Sequence, residues 1–453
     1  MQLLHTPAAL SASFDEPNLL VSAGLVPAVR LAEKVGLPDL AAEYLSVPGP
    51  AGANAGAKVM SLVAGMAAGA DSIDDLNMLR HGATGRLFTG IKAPSTLGTF
   101  LRGFTFGHVR QLDAVASRAL LGWVEQARLL PGLDQGAVID IDDTVKAVYG
   151  PGKQGAQFGY TKIRGLNAQL ATISTAQAAP VIAATRLRRG AAHSATGAVR
   201  MLRDTIATAR RAGACGPILV RADSAYCRSK VVRAVQAAGA HFSVGMPLNS
   251  AVLRAIDTIE DSAWVRIEYP WAIPDPDTGE LVYAAEIAEV EYTAFTSCPA
   301  GQQVTARLIV RRIPERNPSK LQDPLFAAWR YHALFTNNPA ELIEAEATHR
   351  GHAIIEQVIA DLKNSALAHL PCAKFAANAA WLACAGIAFN LTRALGTLAG
   401  DQFSRATTAT IRARILNVPA RVARSARKLR LRLPHRWTWT RAWHNIWTAV
   451  MTT

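Results

Sequence analysis

The sequence predicts a mixed α/β core, broken by a β-rich insertion and flanked by helical regions. Three observations predict it. Residues 1–135 repeat apolar positions every three or four residues, the spacing of amphipathic helices. From Gly136 the pattern turns to short apolar or alternating runs separated by turns, with two helical segments among them. Beyond Pro371 the chain reads as helical again and becomes strongly basic.

The N-terminal region, 1–135, contains "NLLVSAGLVPAVRLAEKVGL" and "KVMSLVAGMAAGADSIDDLNMLRHG", both periodic at helical spacing. A third helical stretch opens at "APSTLGTF", where Ser95 or Thr96 can cap it. A helical domain placed here can bind DNA or serve as scaffold. The next region, 136–248, begins with "AVIDIDDT", which alternates as a strand does. "GLNAQLATIST" and "APVIAATRLR" are two further strands on short connections. A helix ("ATGAVRMLRDTIATARRAG"), a strand ("GPILVRAD"), a helix ("SKVVRAVQAAG") and a strand ("AHFSVGMP") come next. Three strands joined by turns and then strand–helix units is the order of the RNase H-like fold. Residues 249–330 hold aromatic and β-branched runs around a Pro/Asp/Gly turn, the mark of a mainly β insertion. The core resumes over 331–370 with "YHALFTNNP" and one long helix, or two joined near Thr348. Residues 371–453 form the basic helical C-terminal region.

Composition narrows the function classes. Half of the 453 residues are hydrophobic, enough to bury large cores. Five cysteines, an odd number with no C-x-x-C pair, fit a reducing compartment and offer no zinc site. The start, "MQLLHTPAALSASFDEP", has neither a basic stretch nor a long apolar one, so no signal peptide is expected and a cytoplasmic location is. The most apolar helix, from Phe375, is interrupted by Asn378 and Asn390 and is expected to be a buried core helix rather than a membrane span. Residues 371–453 carry thirteen Lys and Arg against one acid, Asp401, and so hold +12 of the net charge of +14. A polyanionic partner is expected. Arg421, Arg424, Arg427, Lys428 and Arg430 are candidate phosphate contacts, with Trp437, Trp439 and Trp443 nearby either to stack on bases or to close a hydrophobic cluster. Arg311, Arg312, Arg316 and Lys320 are a second basic group.

The chemistry concentrates in "VIDIDDT", where Asp140, Asp142, Asp143 and Thr144 end an apolar run. One reading is the D-x-D-x-T of a haloacid-dehalogenase-type phosphatase, with Asp140 as nucleophile, Asp142 as acid and Asp223 as a late metal ligand. That fold needs helical crossovers between parallel strands, whereas here the next two segments are strands on short turns. The other reading is two-metal phosphodiester chemistry, which calls for three carboxylates around a pair of divalent ions. Asp223 ends the strand "PILVRAD", and Glu356 lies on the helix "HRGHAIIEQVIADLK". On a regular helix His349, His352, Glu356 and Lys363 share one polar face, opposite Ile354, Ile355, Val358, Ile359 and Leu362. Alternation puts Asp140 and Asp142 on one face of the first strand and Asp143 on the other. Asp142 lies nearer the strand end than Asp140, which favours it as the ligand, with Asp140, Asp143 and Thr144 in support.

"DIDDT", "VRADSAY" and "HRGHAIIEQVIADLK" together resemble the DDE triad of cut-and-paste insertion-sequence transposases, most closely the thirteen-eighty family, over nearly the whole chain. "GADSIDDLNMLRHG" and "KAPSTLGTFLRGFTFGHVRQLD" resemble segments upstream of that family's catalytic domain. The resemblance implies an RNase H-like core, two Mg²⁺ ions that Mn²⁺ can replace, and a catalytic triad of Asp142, Asp223 and Glu356. It implies double-stranded DNA as partner, both the element's terminal inverted repeats and the target, and a homodimer when two ends are paired. It places the protein in the bacterial cytoplasm, with the nucleoid. The wider group carries Y-x₂-R-x₃-E-x₆-K around the glutamate; here His349 and His352 stand at the tyrosine and arginine positions, Arg350 is a neighbour, and Lys363 is kept. His349, Arg350, His352 and Lys363 are therefore candidate contacts to the DNA end. A DNA-binding protein that has lost catalysis is the competing class.

Overall fold

The computed structural model describes residues 1–267, 285–314 and 329–452. The chain forms two compact units, Leu130–Ala360 and the pair Met1–Leu129 with Asp361–Thr453.

The first of these is built on one mixed sheet, whose elements are labelled here in chain order. They are β1 (Ala137–Ala147), β2 (Gln157–Phe158), β3 (Arg164–Ser174), β4 (Val181–Arg189), α1 (Ala198–Arg211), β5 (Ile218–Ala222), α2 (Ser229–Ala237) and β6 (His241–Met246). β1 runs antiparallel to β3 and parallel to β5, and β5 is parallel to β6. β4 pairs with β3 on its other side. The paired starts of β1 and β5, Ala137–Ile141 and Ile218–Ala222, are mostly apolar and mostly buried. This is the strand order expected from the sequence. It also removes the phosphatase reading, because β1 passes by a hairpin into an antiparallel neighbour rather than through a helical crossover.

The insertion continues the same sheet. β7 (Val265–Ile267), β8 (Ala285–Ala294), β9 (Val304–Pro314) and β10 (Trp329–Thr336) pair in turn, and β10 closes antiparallel onto β6. The Pro/Asp/Gly turn, Arg316 and Lys320 lie outside the described residues. After β10 come α3 (Leu342–Arg350), a 3₁₀ turn over Gly351–Ala353, and α4 (Ile354–Lys363). The single regular helix assumed in grouping His349, His352 and Glu356 is therefore broken. A 3₁₀ turn holds three residues per turn instead of 3.6, so it shifts the phase of α4 relative to α3. Ile355, Val358, Ile359 and Leu362 are buried as expected, while Ile354 is half-buried. The boundary between the units falls inside α4, after Ala360.

In the other unit the N-terminal helices do not stand alone as a domain over 1–135; they share their core with the C-terminal region. Its centre is the helix Phe375–Ala399, packed by Ala55–Ala68, Pro94–Arg102, Phe106–Ala127 and Thr440–Met451. That helix is long and apolar enough by composition to cross a membrane, but 89% of its most apolar window is buried by the chain itself. Its Asn378, fully buried, exchanges two hydrogen bonds with the Cys372 backbone: the Asn378 amide donates to the carbonyl at 2.7 Å and accepts from the N–H at 2.9 Å. Trp381 Nε1 donates to Ala366 O at 2.6 Å.

The basic tail is not helical throughout, and this corrects the expectation. Ala420–Ser425 and Lys428–Arg432 form a hairpin, with the helix Thr440–Met451 after it. The signal was present: "KLRLRL" alternates with period two, the pattern of a strand with one cationic face. Arg421, Arg424, Arg427, Lys428 and Arg430 all lie on this hairpin or its turn, and all five are exposed. The tryptophans favour the cluster reading: Trp443 is buried and stacks on Trp447 at 5.0 Å, while Trp437 and Trp439 meet edge to face at 5.4 Å.

Asn378→Ala should destabilise the protein by about 1–3 kcal/mol, since it removes two buried hydrogen bonds. The urea midpoint measures this; an unchanged midpoint would show that the Asn378 bonds contribute nothing net.

Candidate active site

Asp140 and Arg221 are direct partners across the β1–β5 pairing. Both are buried, Asp140 completely. The guanidinium clamps the carboxylate through two bonds, Nε to Oδ1 at 2.8 Å and Nη2 to Oδ2 at 2.7 Å. Its third nitrogen, Nη1, donates to Thr348 O at the end of α3 at 2.5 Å. Gly351 lies against the same guanidinium, and a Cβ there would stand 2.5 Å from Nη1. His352 completes the group with Nδ1 2.7 Å from Asp140 Oδ1, which sets the proton on Nδ1. Arg221 thus ties the first strand to the turn that launches the glutamate helix.

Asp143 is neutralised in the same manner by another arginine. Arg188 Nη2 reaches Asp143 Oδ2 at 2.6 Å, Asn167 Nδ2 donates to that oxygen too, and the Tyr226 hydroxyl donates to Oδ1 at 3.4 Å. Arg188 also donates to the carbonyls of His193, Ser194 and Thr196, which fixes the loop between β4 and α1.

Asp142 and Asp223 differ. The β1–β5 pairing ends at Ile141 and Ala222, and each aspartate is the next residue of its chain segment. Each accepts a backbone N–H, from Asp143 at 2.7 Å and from Ala225 at 3.0 Å. Among the described residues neither has a Lys, Arg or His within ion-pair distance. Burial pushes the Asp142 carboxyl up to about 6, against the pull of the Asp143 N–H, and the negative charge of Asp223 adds to the rise. Asp223 shows more surface, yet the protein around its carboxyl raises its pKa as well, with the charge of Asp143 contributing. Of the four aspartates, two have arginine counterions and two do not.

Glu356 lies in the first turn of α4 and is exposed. Among the described residues no three His, Cys, Asp or Glu side chains stand close enough to share one ion. Asp142 and Asp223 nevertheless fit a hard divalent cation. They offer carboxylate oxygens, their pKa values are raised, and the nearby aspartates are already neutralised.

The structure also places the other candidates. Thr144 is half-buried on β1, opposite Ala168. His349 Nδ1 sits 2.9 Å from Ser243 Oγ, and burial with the charges of His352 and Arg221 holds its pKa down at about 4. A neutral, inward-turned ring does not grip phosphate, which corrects its assignment as a DNA contact. Arg350 pairs with buried Glu346 at 2.9 Å, and Arg311 reaches the same carboxylate at 3.5 Å. Arg312 pairs with Glu286 at 2.6 Å and lies between the rings of Trp264 and Trp329, at 4.1 and 4.3 Å. Arg312 thus braces the insertion within its own sheet, and Arg311 ties it to α3. Lys363 is half-buried, two turns beyond Glu356 on α4. Sequence reasoning missed Arg188 and Arg221. The signal was an arginine inside an otherwise apolar strand, which folds only if a buried acid meets it.

The phosphatase reading fails here too, since its nucleophile would be Asp140, buried and clamped by Arg221. The family described as "Transposase DDE domain group 1" matches residues 6–452. The chain belongs to that family. It is thus a DDE transposase, of the class that carries out DNA transposition and recombination. No curated protein matches the chain. Among solved structures it is similar to the piggyBac transposase in a synaptic complex with hairpin DNA, at 10% identity and a TM-score of 0.40, covering 87% of this chain and 79% of that one.

The charges in this transposase can be tested in two ways. Without divalent ions, the raised pKa of Asp142 means the folded protein holds that proton more tightly than the unfolded chain. Its neutral form is favourable at low pH, and stability falls as pH rises from about 4 through about 6. Asp142→Asn should therefore melt higher than the wild type at pH 7.5 in EDTA, with the gap closing toward pH 4.5. A gap independent of pH would contradict the assignment. Separately, Arg221→Met strands a buried carboxylate and should cost about 3–5 kcal/mol in urea unfolding, most of it recovered in the double variant with Asp140→Leu.

Proposed function

We propose that this protein is the transposase of an insertion sequence of the thirteen-eighty kind, built on an RNase H-like core. It binds the element's terminal inverted repeats, cleaves at the element ends, and joins the freed 3′-hydroxyls to target DNA. The observation that carries the reading is the pair of carboxylates without counterions among the described residues, Asp142 and Asp223, each just past the point where the parallel β1–β5 pairing stops. The strand order β4-β3-β1-β5-β6 supports the core assignment. The family's third acid falls on Glu356.

Asp142, Asp223 and Glu356 would hold Mg²⁺ or Mn²⁺. Two such ions, when bound, supply the positive charge that activates an attacking hydroxyl and stabilises a leaving oxygen. Asp140 and Asp143 do not compete for that role, because Arg221 and Arg188 neutralise them. The same arginines hold Asp142 on a strand that cannot shift, so its oxygens stay where the pair of strands puts them. Arg221, through Thr348, fixes where α4 begins and hence where Glu356 projects. His352, held through Nδ1 by Asp140, presents Nε2 beside the carboxylates, and in the doubly protonated ring that nitrogen donates to a phosphate oxygen of the DNA end. Lys363 supplies a second cation on the same helix. The arginines of the C-terminal hairpin, with Lys428, contribute the sequence-independent attraction to duplex DNA. Pairing two ends requires two copies, so the working unit is a homodimer on DNA in the bacterial cytoplasm.

The test uses a supercoiled plasmid carrying the DNA that flanks this gene. Wild type with Mg²⁺ should make breaks at both element boundaries, and EDTA should abolish them. Asp142→Asn, Asp223→Asn and Glu356→Gln should each lower cleavage at least about 1000-fold, in line with loss of charge stabilisation at the reacting phosphate, while the gel shift persists. Binding without cleavage by the wild type would leave a DNA-binding protein instead.

A further inference from the structure

From Thr144 to Arg203 the chain contains nine Lys and Arg and no Asp or Glu. Its first part, between β1 and β3, is an excursion that carries three ring side chains into solvent. Tyr149 is 86% exposed, Phe158 67% and Tyr160 fully, with Lys162 and Ile163 exposed beside them. Leaving rings of this size in water is unfavourable for a segment with nothing to bind.

The excursion has a built base. β2 pairs with Arg164 and Gly165 at the start of β3, and Val148 N–H donates to Arg164 O at 3.2 Å. Arg164 reaches across to Gly150 O at 3.0 Å and Pro151 O at 3.5 Å, which pins the turn after Tyr149. Gly190 N–H donates to Gly155 O at 3.1 Å, and the backbone of Gly190 lies so close to Gly159 that a side chain on Gly159 would collide with it. The rings are therefore displayed from a braced loop just beyond the strand bearing Asp142.

We propose that this β1–β3 excursion is a binding site for unpaired DNA nucleotides, with Tyr149, Phe158 and Tyr160 stacking on bases and Lys162 on the backbone. The proposal rests on the transposase reading given above. Base faces are hidden in a duplex and exposed in single strands, so rings ask for unpaired bases while cations alone would serve a duplex. The absence of acids over this stretch removes the repulsion that would bar a phosphate chain. Position agrees. Five residues of strand separate Asp142 from Ala147, about 17 Å at 3.3 Å per residue. That spans about five nucleotides of a duplex strand at 3.4 Å per nucleotide, and fewer of an extended unpaired one. The excursion thus grips a strand that has come unpaired a few nucleotides from the scissile phosphate.

The test measures fluorescence anisotropy of full-length protein with labelled oligo-dT of about 20 nucleotides and with a blunt duplex of about 20 base pairs, lengths that exceed one single-strand site, at fixed salt. The triple variant Tyr149→Ser, Phe158→Ser, Tyr160→Ser should bind oligo-dT at least about tenfold more weakly, the loss of one or two stacked bases, and the duplex within about twofold of wild type. Its far-UV spectrum and melting should be unchanged, because the rings are exposed. Phe158→Trp with Tyr160→Trp should keep the oligo-dT affinity, as stacking needs a ring and not a particular one. Equal loss on both DNAs would make the segment a general basic surface and overturn the proposal. No loss on either, as for a protein-docking surface, would overturn it equally. The triad is untouched in these variants, so plasmid cleavage by the wild type reports on the transposase reading separately. Cleavage with unaltered oligo-dT binding by the triple variant would sink this proposal alone.

Discussion

The ion pair between Asp140 and Arg221 is the contact on which the catalytic unit is organised. It joins neighbouring parallel strands close to the point where they stop pairing, and it is shielded from water. A buried arginine is tolerated only when nearly all its donors are used. Here two go to Asp140 and a third to the carbonyl of Thr348. That last bond is what couples a sheet to a helix end, and Gly351 is small because the guanidinium occupies the space a side chain would take. Arg188 repeats the arrangement on the other side of β1, holding Asp143 and the loop after β4. β1 is thereby braced by charge on both of its faces.

The bracing explains a division of labour among acids that sit next to each other in the chain. Carboxylates crowded into one site would ordinarily share protons and disturb one another's titration. Giving two of the aspartates permanent counterions leaves the other two as the local negative charge still to be met. Burial raises both of their pKa values, and the charge of a neighbouring aspartate adds to each rise. Asp140 and Asp143 hold the strand pair together, and the proposed chemistry falls to the remaining two.

Much of this was legible in the chain. The strands of the core announce themselves as apolar runs of the right length, and the order in which they alternate with helices restricts the topology severely. The two aspartates are visible for the same reason: each follows an apolar strand run, "PILVRA" or "AVIDI", although β1 continues to Ala147 beyond Asp142. What stayed hidden depended on contacts between distant residues. Position along the strand favours Asp142 over Asp140 as the free acid, but the counterion that neutralises Asp140, Arg221, sits on another strand and leaves no local mark. The helical arithmetic that groups His349 with Glu356 assumes one uninterrupted helix, and a three-residue 3₁₀ turn breaks it. The basic tail reads as helical because its charge dominates the pattern, though its leucines alternate at every second position. Domain limits fail for a related reason, since the two ends of the chain fold together and no local pattern records that.

The tail hairpin has a consequence beyond its charge. Lys428–Arg432 is the outer strand of a three-stranded sheet, with one side of its backbone unpaired. Such an edge is a template onto which another strand can add, chain after chain. Lys428, Arg430 and Arg432 stand along it at every second position, and a second copy approaching that edge would bring the same charges face to face. Charges in that position oppose the addition of a like strand. Neutralising them would show first as aggregation.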